Sequence, residues 1–135
     1  MKERTFDAVI ASLPEVTSFI DEWLEALECG MKAQTQIDIA VDELFTNIAS
    51  YAYAPDSGKA TVRLDFDEAS RTASITFIDS GIPYDPLKKP DPDVTLSAEE
   101  REIGGLGIYL AKKATDKMDY RREKDQNILT IYKTI

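Results

Sequence analysis

Apolar residues along the chain follow a helical rhythm in some stretches and a strict alternation in others. Ile37, Val41, Leu44, Ile48 and Tyr51 recur at helical spacing and predict an amphipathic helix running from Ile37 to about Tyr53. Val16, Phe19, Ile20, Trp23, Leu24 and Leu27 predict an earlier helix. A capping box at Ser12-Leu-Pro-Glu15 is expected to open it and Gly30 to close it. Alternation places Phe6, Ala8 and Ile10 on one side of a short first strand. Val62, Leu64 and Phe66, then Ala73, Ile75 and Phe77, mark two more strands, joined by the short Asp67–Arg71 connection of an antiparallel hairpin. Met118 to Glu123 and Ile128 to Ile135 predict a closing hairpin about Lys124-Asp-Gln-Asn127. Before it, Gly104-Gly-Leu-Gly107 opens a helix whose Ile108, Leu110, Ala111 and Ala114 can pack inward.

Strands and helices therefore cluster instead of alternating. The expected fold is an α/β (α+β) two-layer sandwich: a mixed, largely antiparallel sheet with helices on one face, in one domain over residues 1–135. The stretch from Tyr84 to Glu102 breaks the pattern. It is polar, carries Pro86, Pro90 and Pro92, and is expected to act as a lid over a ligand through Ile103.

Composition narrows the chemistry. The net charge of −9, from 25 acidic against 16 basic residues, argues against nonspecific binding to nucleic acid or to an anionic membrane and suits a partner with a basic surface. There is no histidine, which excludes a Ser-His-Asp triad or a phosphohistidine relay within the chain, and Cys29 is alone. Met1-Lys-Glu-Arg-Thr5 has no apolar signal region, and no run reaches membrane-spanning length, so a cytoplasmic protein is expected.

Candidate chemistry is spread over several short motifs. At about 100° per residue, Glu43 and Asn47 lie one turn apart near a border of the apolar arc, where a carboxylate and an amide can share a pocket floor. Asp79-Ser-Gly81 ends a strand; its carboxylate can accept from an exocyclic amine, or simply close an Asx turn. The glycines at 104, 105 and 107 let backbone amides approach an anion such as phosphate, or serve only as a tight loop entering a packed helix. Thr130, on the side of its strand opposite Leu129 and Ile131, offers a hydroxyl.

It is the order of these pieces that is informative. A helix with Glu43-Leu-Phe-Thr-Asn47, a strand ending in Asp79-Ser-Gly-Ile-Pro83, a polar segment, Gly104-Gly-Leu-Gly-Ile108 and a last strand with Thr130 together resemble the Bergerat ATP-binding fold. In its small format the chain resembles the anti-sigma-factor serine/threonine kinases of bacterial partner switching, over nearly its whole length. The resemblance implies that Asn47 ligates Mg²⁺ at the ATP phosphates, that Glu43 is the general base, and that Asp79 holds the adenine amine. It further implies that Gly81 makes room for the base, that Gly104, Gly105 and Gly107 wrap the phosphates, and that Thr130 supports the adenine contact. The implied partners are a small antagonist of the anti-anti-sigma type and a sigma factor or similar regulator, with a homodimer allowed.

Two departures stand out. Ile103 sits where such kinases commonly carry an Arg, with Arg101 displaced, and Ser50-Tyr-Ala-Tyr53 stands where a His is usual near the helix end. Ile103 favours an alternative, a nucleotide-gated binding module without phosphotransfer. A detached ATPase part of a histidine kinase is a weaker third reading, since phosphoacceptor helices and any His are missing.

Overall fold

The computed structural model describes residues 1–88 and 106–135. Strand β1 (Lys2–Asp7) leads through a 3₁₀ turn at Ile10–Ser12 into α1 (Leu13–Ala26), and α2 (Met31–Asn47) follows. A π-helical turn at Ile48–Ala52 extends α2. Next come β2 (Lys59–Asp67), β3 (Thr72–Asp79), a 3₁₀ turn at Pro86–Lys88, α3 (Leu106–Ala114), β4 (Lys117–Glu123) and β5 (Gln126–Thr134).

The strands lie in the order β1-β2-β3-β5-β4. Each neighbouring pair is antiparallel. The largely antiparallel sheet expected from the pattern is thus present, and no parallel pairing joins the described strands. Alternate residues of the sheet point toward the helices: Val62, Leu64, Ile75, Phe77 and Ile131 are buried in one cluster with Ile20 and Leu24 of α1, Leu44 and Phe45 of α2 and Ile108 of α3. Full burial of such a side chain contributes about 1.5–3 kcal/mol, so this interface supplies most of the drive to fold. The other face carries Thr61, Arg63, Ser74, Thr76, Thr130 and Tyr132, which remain partly accessible.

The element ends differ from the expected ones, each for a local reason. Ser12 makes no side-chain cap to α1, and Glu15 pairs instead with Arg4 of β1 at 3.2 Å. The helix stops before Gly30. Glu28 takes a left-handed φ of 58°, Cys29 N–H donates to the Leu24 carbonyl at 3.0 Å and Glu28 N–H to that of Glu25 at 3.0 Å, a Schellman closure without glycine. Gly30, with φ −66° and ψ 153°, begins α2. Ile10 lies in the 3₁₀ turn and is exposed, because β1 ends at Asp7. The last hairpin turns on Lys124 and Asp125, with φ 52° and 61°, the geometry of a two-residue type I′ turn. Gln126 and Asn127 therefore belong to β5.

Between α1 and α2, away from the sheet, Asp21 and Asp38 face each other. Each has its Oδ1 buried without a hydrogen-bond partner. Burial, then the hydrogen bond and the charge of Asp21, push the Asp38 carboxyl up to about 7. A protonated Asp38 is able to donate to Asp21, which an ionised one cannot.

Candidate functional site

The second half of α2 ends beneath the C-terminal end of β3, and the described residues enclose a cavity of about 350 Å³ there. Leu44, Asn47, Ile48 and Tyr51 line it from the end of α2 and the π turn, and Ile82, Tyr84 and Pro86 from the stretch after β3. Its base is formed by Phe77 and Asp79 of β3, Tyr120 of β4, and Asn127 and Leu129 of β5. Mostly apolar walls around a few polar groups are the usual build of a site for a flat heterocycle.

The π turn shapes one wall. Its wider i→i+5 spacing breaks the 3.6-residue period directly after Asn47. Tyr51, expected beneath Leu44 and Ile48 in the core, is therefore rotated to the cavity mouth and is 62% exposed. The turn also leaves the Ala52 carbonyl free of a helical partner, and Ile82 N–H donates to it at 2.9 Å.

Asp79 is only 6% exposed, at the inward-facing last position of β3. Its Oδ1 accepts from Gly81 N–H at 2.9 Å and from Asn127 Nδ2 at 2.9 Å. Both bonds fall on Oδ1, and Asp79 is among the residues that line the cavity. The Asx turn and the ligand-facing carboxylate are therefore compatible readings of the same residue. Around the turn, Tyr53 Oη donates to the Lys59 carbonyl at 2.6 Å and accepts from Ser80 N–H at 2.7 Å, while Arg122 donates to the Gly81 carbonyl at 2.9 Å.

Gly81 is required here by a close approach of two backbone segments. A Cβ at this position would overlap the Ala52 carbonyl oxygen, so the missing side chain admits the π turn, and Gly81 does not line the cavity. Gly107, in the first turn of α3, packs against α2: a Cβ there would overlap Glu43 Oε2. The half-buried Glu43 carboxylate thus sits beside the start of α3, one turn back from Asn47 and outside the ring of cavity-lining residues. Gly104, Gly105, Arg101, Ile103 and most of the expected lid lie outside the described residues.

Thr130 is not brought to the cavity. It lies opposite Thr76 on the outer face of the sheet, and their hydroxyls share a hydrogen bond of 2.9 Å. Strand parity is the cause. Positions 127, 129 and 131 face the helices, so position 130 faces away. The polar group that β5 does send into the site is Asn127, also 6% exposed. Its signal in the sequence was an amide in phase with Leu129 and Ile131.

The lining can take an adenine-like ring, with apolar side chains such as Ile48 and Ile82 for its faces and Asp79 as an acceptor for an exocyclic amine. Among the described residues no cluster of three or more His, Cys, Asp or Glu forms a cage for a metal. The Asn47 amide oxygen on the wall fits a Mg²⁺ whose remaining ligands are phosphate oxygens and water, which is how this hard cation is usually held. No helix among the described residues is long and apolar enough to cross a membrane.

Comparison with known proteins agrees with this geometry. The chain is 29% identical over 113 residues to the serine/threonine-protein kinase BtrW of Bordetella bronchiseptica, covering 81% of this chain and 79% of that protein. It is 25% identical over 114 residues to an anti-sigma F factor of Clostridium perfringens, covering 84% and 81%. Residues 6–133 match the histidine kinase-like ATPase domain, so the chain belongs to that family.

Proposed function

We propose that this protein is an ATP-dependent serine/threonine kinase that works as a regulatory switch. It phosphorylates a small antagonist protein and alternately sequesters a sigma factor or a similar regulator. The observation that carries this reading is the placement of Asn47 on the cavity wall with Glu43 one turn behind it, against Gly107. Metal-phosphate binding and proton acceptance then occupy consecutive turns of one rigid helix. The named kinase and anti-sigma relatives support the same reading.

In this scheme Asp79 Oδ2 accepts from the adenine amine and the base lies between Ile48 and Ile82. Asn47 holds the Mg²⁺, which when bound neutralises charge on the phosphates. A serine or threonine hydroxyl of the antagonist approaches the γ-phosphorus. As the new O–P bond forms and the bond to the bridging oxygen breaks, Glu43 takes the hydroxyl proton and ADP departs. Positioning and charge neutralisation are most of what such a transfer needs.

The test is labelled ATP mixed with the protein and candidate antagonists, followed as label on serine or threonine. Glu43→Gln keeps the side chain's shape but not its basicity. It should leave ATP affinity within severalfold of wild type and lower transfer about 10²-fold or more, the usual span of general-base catalysis. Asn47→Ala should weaken both Mg-ATP binding and transfer. Wild-type protein that binds an antagonist in an ATP-dependent way, yet transfers no label to any, would establish the nucleotide-gated binding module instead.

A further inference from the structure

We propose that Asn127 is a positioning residue for base recognition, holding Asp79 in the one orientation that presents a single carboxylate oxygen to the nucleotide. The inference rests on the adenine site described above and extends it to a residue of β5 outside the motifs that carry the family resemblance.

The hydrogen bonds of Asn127 are fully used. Nδ2 donates to Asp79 Oδ1 at 2.9 Å and to the Ile82 carbonyl at 2.8 Å. Oδ1 accepts from Tyr120 Oη at 2.5 Å and from Tyr84 N–H at 3.3 Å. Two donors and two acceptor sites are all that a side-chain amide has. The orientation is unambiguous, because the flipped amide would set its oxygen against two acceptors, the Asp79 carboxylate and the Ile82 carbonyl. Nothing remains on Asn127 for a ligand, so it acts through Asp79.

That action has a direction. With Asn127 and Gly81 both donating to Oδ1, rotation of the Asp79 carboxyl would break two bonds inside a buried network, where each is strengthened by its neighbours. The nucleotide therefore meets Oδ2, the carboxylate oxygen that neither of these bonds occupies. Adenine presents an N–H to such an oxygen, and guanine presents a carbonyl oxygen at the corresponding edge. Fixed orientation thus favours adenine over guanine, and the Tyr120 hydroxyl, by clamping the Asn127 oxygen, extends the support to edge strand β4.

Asn127→Leu keeps the volume and removes all four bonds. Asn127→Asp keeps the shape but turns a donor toward Asp79 into a carboxylate, which regains a donor only when the pair holds a proton. Binding of Mg-ATP and Mg-GTP to the full chain, measured by calorimetry at several pH values, reads both. Asn127→Leu should lose about tenfold or more in ATP affinity, as a buried bond to a charged group implies, and the ATP-over-GTP ratio should fall. Asn127→Asp should bind ATP better as pH is lowered from 8 toward 5, with wild type changing less.

An Asn127→Leu protein that folds and keeps both the wild-type ATP affinity and the ATP-over-GTP ratio overturns the proposal. Should that variant fail to fold, a pH profile of Asn127→Asp parallel to wild type overturns it equally. Asp79→Asn separates the two levels of inference. If it weakens ATP binding while the Asn127 variants do not, the positioning role falls and the adenine site stands. If Asp79→Asn has no effect either, both fall.

Discussion

The carboxyl pair between α1 and α2 makes stability depend on pH in a way that one substitution should abolish. Asp38 is pushed from 3.8 to about 7, first by burial and then by the Asp21 carboxyl beside it. A carboxyl that holds its proton more tightly when folded favours folding fully below its unfolded pKa. That contribution is lost as pH rises through the folded value, here between about 4 and about 7. A rise of roughly three units corresponds to at most about 4 kcal/mol. The pair is partly open to solvent, and screening reduces this to about 2 kcal/mol. About half of that window lies above pH 5.5, so wild type should lose about 1 kcal/mol between pH 5.5 and 8 through this pair.

Asp38→Asn removes the titration and supplies an amide donor to Asp21. Urea denaturation of both proteins at pH 5.5, 6.5, 7.2 and 8 measures the difference, and the remaining titrating groups cancel. Cys29 stays out of this window, because burial pushes its thiol up, against the opposing pull of Arg71. The stability of the variant relative to wild type should rise by about 1 kcal/mol between pH 5.5 and pH 8. Parallel stability curves would show that the two carboxyls share no proton.

Three further outcomes follow from the site. Asp79→Asn should weaken ATP binding by about tenfold or more and bring ATP and GTP affinities together, read by calorimetry. Gly81→Ala forces a Cβ into the backbone carbonyl of Ala52, which cannot swing aside; it should lower stability by about 1–3 kcal/mol in urea titration. Gly107→Ala meets only the mobile end of Glu43. Its thermal midpoint should hold or rise, as expected for alanine in a helix, while single-turnover transfer to the antagonist drops; an unchanged transfer rate would remove Glu43 from the chemistry.

Periodicity was enough to order the layers. Apolar spacing through Ile37, Val41 and Leu44 places α2 and with it Glu43 and Asn47, and alternation in β2 and β3 brings Asp79 to an inward strand end. What periodicity could not show depends on backbone outside the regular repeats. The π turn that throws Tyr51 outward and the left-handed Glu28 that closes α1 are set by tertiary contacts. Arg4 competes for Glu15 in the same way and leaves the capping box unmade. Thr130 and Asn127 teach a narrower lesson. The family resemblance points to the hydroxyl, but counting by twos from Leu129 assigns the inward position to the amide.

The bond from Ile82 to the Ala52 carbonyl has a consequence for how tightly a small molecule can be held. It latches the loop after Asp79 to the turn after Asn47, and Gly81 lets the two backbones touch. The group suited to a purine and the group suited to a metal therefore belong to one preassembled frame, not to two flaps that must meet around the guest. Ordering flexible groups is among the main penalties of association. Here much of that loss is incurred during folding, before any nucleotide arrives.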